Sequence, residues 1–291
     1  MLAVIVNPIA GGGAGKTEQI KVLDALKERR IAHRLMVSEY AGHTTSLASE
    51  AVETGADGIV AIGGDGTMFE IVNGLKGRKT TLYFVPCGTG NDFVRMLDLP
   101  SDPVEALQSQ LSCDPHDIDV GQVGDRYFLN VSGCGFDVEV LKLSDRYKRF
   151  GKGLIPYFMG LIAALKNFKP LSVELTVNGQ TTRTRATIIS VGNGRYFGGG
   201  MKPTPHAQIS DGRFDLIYVD PVSKLTILRL LSKFIPGKHT TLPIVHELRC
   251  DAVTIRCKGM TVNLDGELID MDCADYRILP GALTIRAKEK P

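Results

Sequence analysis

At 291 residues the chain is long enough to bury more than one core, and we read it as two domains. Lys plus Arg number 34 against 32 Asp plus Glu, a formal net charge of +2, so nothing in the charge balance suggests a polyanion such as nucleic acid as the bulk partner. Six cysteines (Cys87, Cys113, Cys134, Cys250, Cys257, Cys273) form no CxxC pair, and no uninterrupted apolar run reaches about 18 residues, so a disulfide framework, a zinc centre and a membrane span are not expected.

The chain opens on an apolar run, Leu2 to Val6, that reads as a buried strand rather than a signal peptide. Asn7-Pro8-Ile9-Ala10-Gly11-Gly12-Gly13-Ala14-Gly15-Lys16-Thr17 closes it, and the last eight residues fit a relaxed Walker A pattern with Ala10 where strict glycine belongs. Asp220, after a strand over 214–219, is the matching Walker B candidate. That P-loop reading leaves two later glycine turns without a role. A helix over 21–30 and a strand over 32–37 follow, then Ser38 and a Gly42-His43 turn in which His43 caps or packs, then a helix through Ala51 to Glu53.

The strand Asp57 to Ile62 runs into Gly63-Gly64-Asp65-Gly66-Thr67 just before a helical pattern, the layout of a phosphate-binding turn. Glycine lets the backbone approach an anion, but Asp65 repels one, so a cation such as Mg²⁺ is expected between them. A second run, Leu82 to Val85, feeds Pro86-Cys87-Gly88-Thr89-Gly90-Asn91-Asp92. Strands alternating with helices imply a doubly wound parallel α/β sheet, and both turns would face one crevice at its carboxyl edge. Short helices are expected at 94–97 and at 103–110, the latter capped by Ser101 or Asp102.

From Asp117 the pattern changes to hairpins. Residues 117–131 read as two strands about a Gly124-Asp125 turn, and further strands are expected at 171–178, 181–191, 213–219, 244–257, 260–264 and 275–286. Turn signals stand at Asn178-Gly179, Lys258-Gly259 and Pro280-Gly281. The expected division is a nucleotide-binding domain over 1–125 and an antiparallel β-sandwich over 126–291 whose C-terminal end could return to the first domain. A substrate would lie in the cleft between them.

Read together, GGDGTMFEIVNGL (63–75) and PCGTGNDFVR (86–95) resemble the nucleotide-binding motifs of the diacylglycerol kinase catalytic family, in particular its soluble bacterial lipid kinases. The GGDGT piece is shared with NAD kinases and phosphofructokinases, whereas GTGND before an aromatic is more specific. The resemblance implies an ATP-dependent lipid kinase using Mg²⁺, with diacylglycerol the foremost acceptor; an NAD kinase and a non-catalytic nucleotide or lipid sensor are the rivals. It implies nucleotide contacts at Asn7, Pro8, Ile9, Ala10 and Gly11, at Ser38 where the family usually has threonine, at Gly63, Gly64, Asp65, Gly66, Thr67, Met68 and Phe69, and at Thr89. It implies an acidic network of Asp65, Asp92 and Asp119 around the catalytic Mg²⁺, and a structural magnesium held by Asp211 and the main chain of Gln208 and Arg213. Asp265, in the turn Asn263-Leu264-Asp265-Gly266-Glu267, matches the catalytic base, and Glu267 its neighbour. Two carboxylates this close are expected to raise one another's pKa, although an Asp-Gly pair is also the commonest hairpin turn. Asn193, Gly194 and Gly198-Gly199-Gly200 border the acceptor in this reading, without assigned roles.

Two basic stretches interrupt the β domain: 141–170, with Lys142, Arg146, Lys148, Arg149, Lys152, Lys166 and Lys169 around Leu154 to Leu165, and 224–238, with Lys224, Arg229, Lys233 and Lys238. They suit amphipathic helices covering the core, and equally a transient contact with an anionic membrane surface. The expected partners are thus a lipid substrate and the inner face of a membrane, for a cytoplasmic protein that leaves a homodimer open.

Overall fold

The computed structural model describes residues 1–147 and 154–288. The first half runs β1 (Leu2–Val6), α1 (Ala10–Glu28), β2 (His33–Val37), α2 (His43–Glu53), β3 (Gly58–Gly63), α3 (Asp65–Leu75), β4 (Thr81–Pro86), α4 (Asp92–Met96) and α5 (Pro103–Leu111). Its strands lie in the order β2-β1-β3-β4, all parallel. β1 and β3 have neighbours on both edges and helices on both faces, which is why their apolar runs do not alternate. Val22 and Leu26 of α1 and Leu107 of α5 pack one face against Val4, Val60 and Val85. Leu47, Ile71 and Leu75 of α2 and α3 cover the other over Ile5, Ile59 and Phe84. The doubly wound half is therefore as expected, and Asp102 caps α5 by accepting from Val104 and Glu105 N–H, each at 2.9 Å.

The second half continues with β5 (Pro115–Val123), β6 (Arg126–Phe128), β7 (Val131–Gly135), α6 (Phe136–Tyr147), α7 (Leu154–Asn167), β8 (Leu171–Val177), β9 (Gln180–Ala186), β10 (Ile188–Gly192), β11 (Phe214–Val219), α8 (Lys224–Phe234), β12 (Val245–Cys250), β13 (Ala252–Leu264) and β14 (Glu267–Arg286). Here the pairing is antiparallel, in the order β12-β11-β10-β7-β13-β14, with β8 on β13 and β5 on β14. β14 belongs to both halves. It starts beside β13 with Glu267 opposite Leu264 and ends with Thr284 and Ile285 parallel to Thr81 and Leu82 of β4. The sheet is consequently continuous and mixed.

Lys258-Gly259 and Pro280-Gly281 are not hairpin turns. They are bulges inside β13 and β14, where the register shifts between Arg256 and Met260 and between Leu279 and Leu283. Gly259 and Gly281 have φ of +66° and +59°, and a bulge frees Pro280 from donating to a ladder it cannot join. Asn178-Gly179 does turn a hairpin, with φ of +49° and +77°. The expected strands at 181–191 and 244–257 are each broken once, at Thr187 and Asp251.

α6, α7 and α8 cover the outer end of the sheet, with Phe136, Val140, Ala164, Ile227, Leu230 and Phe234 against Ile188, Ile217 and Val219. Lys148, Arg149 and Lys152 of the first basic stretch lie outside the described residues. Among those described, no helix is long and apolar enough to cross a membrane, and all six cysteines are free.

Candidate active site

Three loops leave the carboxyl edge of the parallel strands and pack backbone to backbone. After β1, Asn7 accepts the Ile9 N–H at Oδ1 and donates from Nδ2 to Thr67 Oγ1, both at 3.2 Å, so the first loop is tied to the start of α3. Gly11 has φ of +60°, and a Cβ there would lie 2.0 Å from the Cys87 carbonyl oxygen. A Cβ on Gly64 would lie 2.8 Å from Gly88 Cα, and one on Gly88 would lie 2.5 Å from Gly64 Cα. The two glycine turns thus require glycine because of each other. No side chain caps the α3 N-terminus, which leaves its first-turn amides to an anion. Gly88→Ala is expected to cost about 2 kcal/mol and to abolish stabilisation by ADP, read as the shift in unfolding temperature with added nucleotide.

Of the other nucleotide positions, Ser38 is buried behind this edge with its N–H on the Val6 carbonyl at 2.9 Å. Ile9 is 79% exposed, and Thr89 is exposed at the tip of the second turn. Met68 and Phe69 turn into the two cores, so only their main chain is available to a ligand. Lys16 is exposed on α1. The P-loop alternative fails on topology: Asp220 follows β11 in the antiparallel half, where it meets His246 Nε2 at 3.0 Å. His43 accepts the Glu39 N–H at 3.1 Å and stacks on Tyr40, a turn former as expected.

Asp65 and Asp92 come together across Gly90, where a Cβ would lie 2.6 Å from Asp65 Oδ2 and 3.6 Å from Asp92 Oδ2. Asp65 Oδ1 accepts the Asp92 N–H at 2.7 Å. Burial raises its pKa against the pull of amides at Asp92, Phe93 and Asn91. Burial, with the Asp65 charge added, pushes Asp92 up to about 6. Asp92 Oδ2 accepts the Gly199 N–H at 2.9 Å, while Oδ1 is buried without a hydrogen-bond partner. Arg95 Nε stands 4.0 Å from that oxygen, beyond hydrogen-bond reach, so the two carboxylates keep acceptor capacity that fits a hard dication retaining most of its water.

Asp119 stands apart from that pair. Its carboxylate accepts the N–H groups of Gly212 at 2.7 Å and Gly281 at 3.0 Å, and its main chain donates to the Ile209 carbonyl. It therefore anchors the 208–213 loop, and burial, with the Asp211 charge added, raises its pKa against those two amides. Asp211 accepts the Arg213 N–H at 3.0 Å and is ion-paired with Arg249. With its carboxylate already engaged by a guanidinium, this loop fits a structural cation less well than Asp65 and Asp92 do. Among the described residues no group of three or more His, Cys, Asp or Glu side chains could hold a metal unaided.

The β13–β14 hairpin brings its tip to these loops. Asp265 and Gly266 make the turn with φ of +48° and +105°, and Gly266 N–H donates to Asn263 Oδ1 at 2.7 Å. The Asp265 carboxylate accepts three amides, Leu129 at 2.6 Å and Asn130 and Val131 at 3.0 Å each. Burial pushes its pKa up to about 7 against those donors, with a smaller push from Asp65, so the rise does not come from a proton shared with Glu267. Glu267 is exposed, and its Oε1 lies 3.7 Å from where a Cβ on Gly66 would be. One carboxylate locks the tip; the other reaches the first glycine turn.

Residues of the 193–200 loop complete the junction. Asn193 Nδ2 donates to the carbonyls of Leu129 at 2.6 Å and Asp119 at 3.1 Å, and a Cβ on Gly194 would lie 2.1 Å from Asn130 Oδ1. Gly199 gives its amide to Asp92. The glycine run was visible in the sequence, but its target was not.

A doubly wound half whose anion-binding turns face a carboxylate from a β half defines a phosphotransferase. Residues 1–123 match the model of the diacylglycerol kinase catalytic domain, and residues 130–287 that of the YegS C-terminal NAD kinase beta sandwich-like domain. The chain is 29% identical to a diacylglycerol kinase of Mycobacterium tuberculosis (strain ATCC 25618 / H37Rv), over 98% of this chain and 94% of that one. It is 32% identical to a probable lipid kinase, YegS-like, of Chromohalobacter salexigens, over 94% and 91%. The crystal structure of a putative diacylglycerol kinase from Bacillus anthracis str. Sterne superimposes with a TM-score of 0.83 at 28% identity, covering 99% of this chain and 97% of that one. The chain belongs to the diacylglycerol kinase catalytic family, and it is a lipid kinase.

Proposed function

We propose that this kinase transfers the γ-phosphoryl group of ATP to the hydroxyl of a diacylglycerol, with Glu267 as the general base. The observation that carries this reading is Glu267 Oε1 beside Gly66, a carboxylate from the β half at the N-terminus of a phosphate-binding helix. The glycine turns would hold the phosphates with backbone amides, and Asp65 and Asp92 would hold Mg²⁺, which would neutralise the charge spread over the transferring group. Glu267 takes the acceptor proton as that oxygen bonds to the γ-phosphorus and the bridging P–O bond breaks, releasing ADP. Every group named comes from one chain, so the chemistry needs no second copy. Incubation with labelled ATP, Mg²⁺ and diacylglycerol in mixed micelles, with NAD as the competing acceptor, tests the reading. Labelled lipid is expected; labelled NAD, or no product, would reject it.

The same reading places the enzyme in the cytoplasm, working at the inner face of a membrane. α8 supports it: Ile227, Leu230 and Phe234 are buried, whereas Leu225 and Leu228 are 59% and 46% exposed, with Ile235 just beyond at 55%. Lys224, Arg229 and Lys233 flank that outer apolar surface, which suits an anionic leaflet. Replacing Leu225 and Leu228 by serine is expected to weaken sedimentation with phosphatidylglycerol vesicles about tenfold or more, from the lost apolar burial alone.

A further inference from the structure

A cavity lies away from the catalytic cleft. It is a shallow groove of about 990 Å³ between the β8–β9 hairpin and β13, and Pro221 lines it where the chain leaves β11 for α8. Arg183, Arg185, Arg256 and Lys258 line it against two acids, Glu174 and Asp272. Those four cations less two acids leave the groove itself with a surplus of two positive charges. The acids do not quench it. Glu174 is shared by Arg183 at 3.1 Å and Arg256 at 3.6 Å, and Asp272 accepts the Gly259 N–H at 2.6 Å. Arg185 and Lys258 have no anionic partner among the described residues.

Position identifies what such a groove would meet. Pro221 precedes the α8 cap, Ser223, by two residues, and Lys224 at the head of α8 donates to the Lys166 carbonyl at the end of α7, 2.6 Å away. The groove therefore adjoins the end of α8 that exposes Leu225 and Leu228. Arg256 stands eight residues from Leu264 along β13, roughly 25 Å from the hairpin tip at strand rise, so this is not the acceptor site. An open, cationic groove beside an exposed apolar helix matches phosphates presented by a bilayer, which guanidinium groups bind through paired hydrogen bonds. The exposed Leu225 and Leu228 beside the groove favour a bilayer over a polynucleotide, which offers them no acyl layer to enter.

We propose that this groove is a headgroup site for anionic phospholipid, separate from the substrate lipid, that fixes the enzyme's orientation on the membrane. The proposal rests on the membrane reading of α8 and adds to it which lipid is held and where. The test compares wild type with the Arg185→Glu/Lys258→Glu double variant, both substitutions at exposed positions, in sedimentation with phosphatidylglycerol-containing and pure phosphatidylcholine vesicles. Wild type is expected to prefer the anionic vesicles, and the double variant to lose that preference by about tenfold or more. Its unfolding temperature and its kcat on diacylglycerol in neutral detergent micelles are expected to stay at wild-type values. Unchanged vesicle binding by the double variant overturns the proposal, as does complete competition by millimolar inorganic phosphate, which would mark a soluble-anion site, or a loss confined to single-stranded nucleic acid. If the Leu225→Ser/Leu228→Ser variant loses the vesicles while the double variant keeps them, the headgroup site falls and docking through α8 stands. If wild type ignores both vesicles, both fall.

Discussion

Glu267→Gln is expected to yield a folded, nucleotide-binding protein whose kcat for lipid phosphorylation is lower by about 10²–10⁴-fold, the usual contribution of a positioned general base. Glutamine preserves the length and the polar tip but cannot take a proton. The side chain is exposed at the start of β14 and sits beside Gly66, a position defined by the facing loop rather than by a hydrogen bond of its own. Stability is therefore expected to change by less than about 0.5 kcal/mol, as at surface sites without special features. KM for ATP is expected to hold as well, because the amides proposed to bind phosphate belong to the other half of the molecule. Steady-state kinetics beside thermal unfolding separates these quantities. A Glu267→Gln enzyme with wild-type kcat would transfer the base to another residue and reject the mechanism, whereas a fall in kcat with a matching loss of folding would make Glu267 a packing residue.

What the sequence made legible was local. The apolar runs 2–6, 58–62 and 81–85 needed no tertiary information, because a strand buried on both faces has one composition whatever surrounds it. The glycine turns were legible as turns, but the reason for Gly64 and Gly88, mutual backbone contact, depends on two strands lying side by side. Bulge and turn use the same residues, so Gly259 and Gly281 with positive φ pointed to chain reversals that do not occur. Asp119 was grouped with Asp65 and Asp92 by kind, and nothing in a linear pattern says that its carboxylate would be taken by Gly212 and Gly281. Asp265 and Glu267 have different neighbours for a geometric reason. Residues two apart share a face only within a strand, and Asp265 occupies the left-handed turn region, which swings its carboxylate back onto 129–131.

That swing makes the second substitution the counterpart of the first. Asp265→Asn is expected to lose both activity and stability. Three amides converge on two carboxylate oxygens; asparagine offers one acceptor oxygen and turns an NH₂ group toward the remaining donors. A buried donor left unsatisfied costs about 1–3 kcal/mol, and the tip that carries Glu267 loses its anchor to the β6–β7 connection. The expected kcat is lower by about 10-fold or more through misplacement of Glu267 rather than loss of a proton acceptor. Titration distinguishes the roles. Burial raises Asp265 from 3.8 to about 7, so its protonated form is favoured in the folded state. The stability this contributes is fully present below the unfolded pKa and is lost as pH rises through about 7. Asp92, raised to about 6, and Asp137, raised to about 7, act with the same sign. Wild-type unfolding temperature is therefore expected to fall between about pH 4 and pH 7, and to fall less steeply in Asp265→Asn, which has no proton to lose. A variant that keeps wild-type stability and the wild-type pH slope yet cannot phosphorylate lipid would make Asp265 a chemical participant, because an anchor cannot be removed without a change in folding.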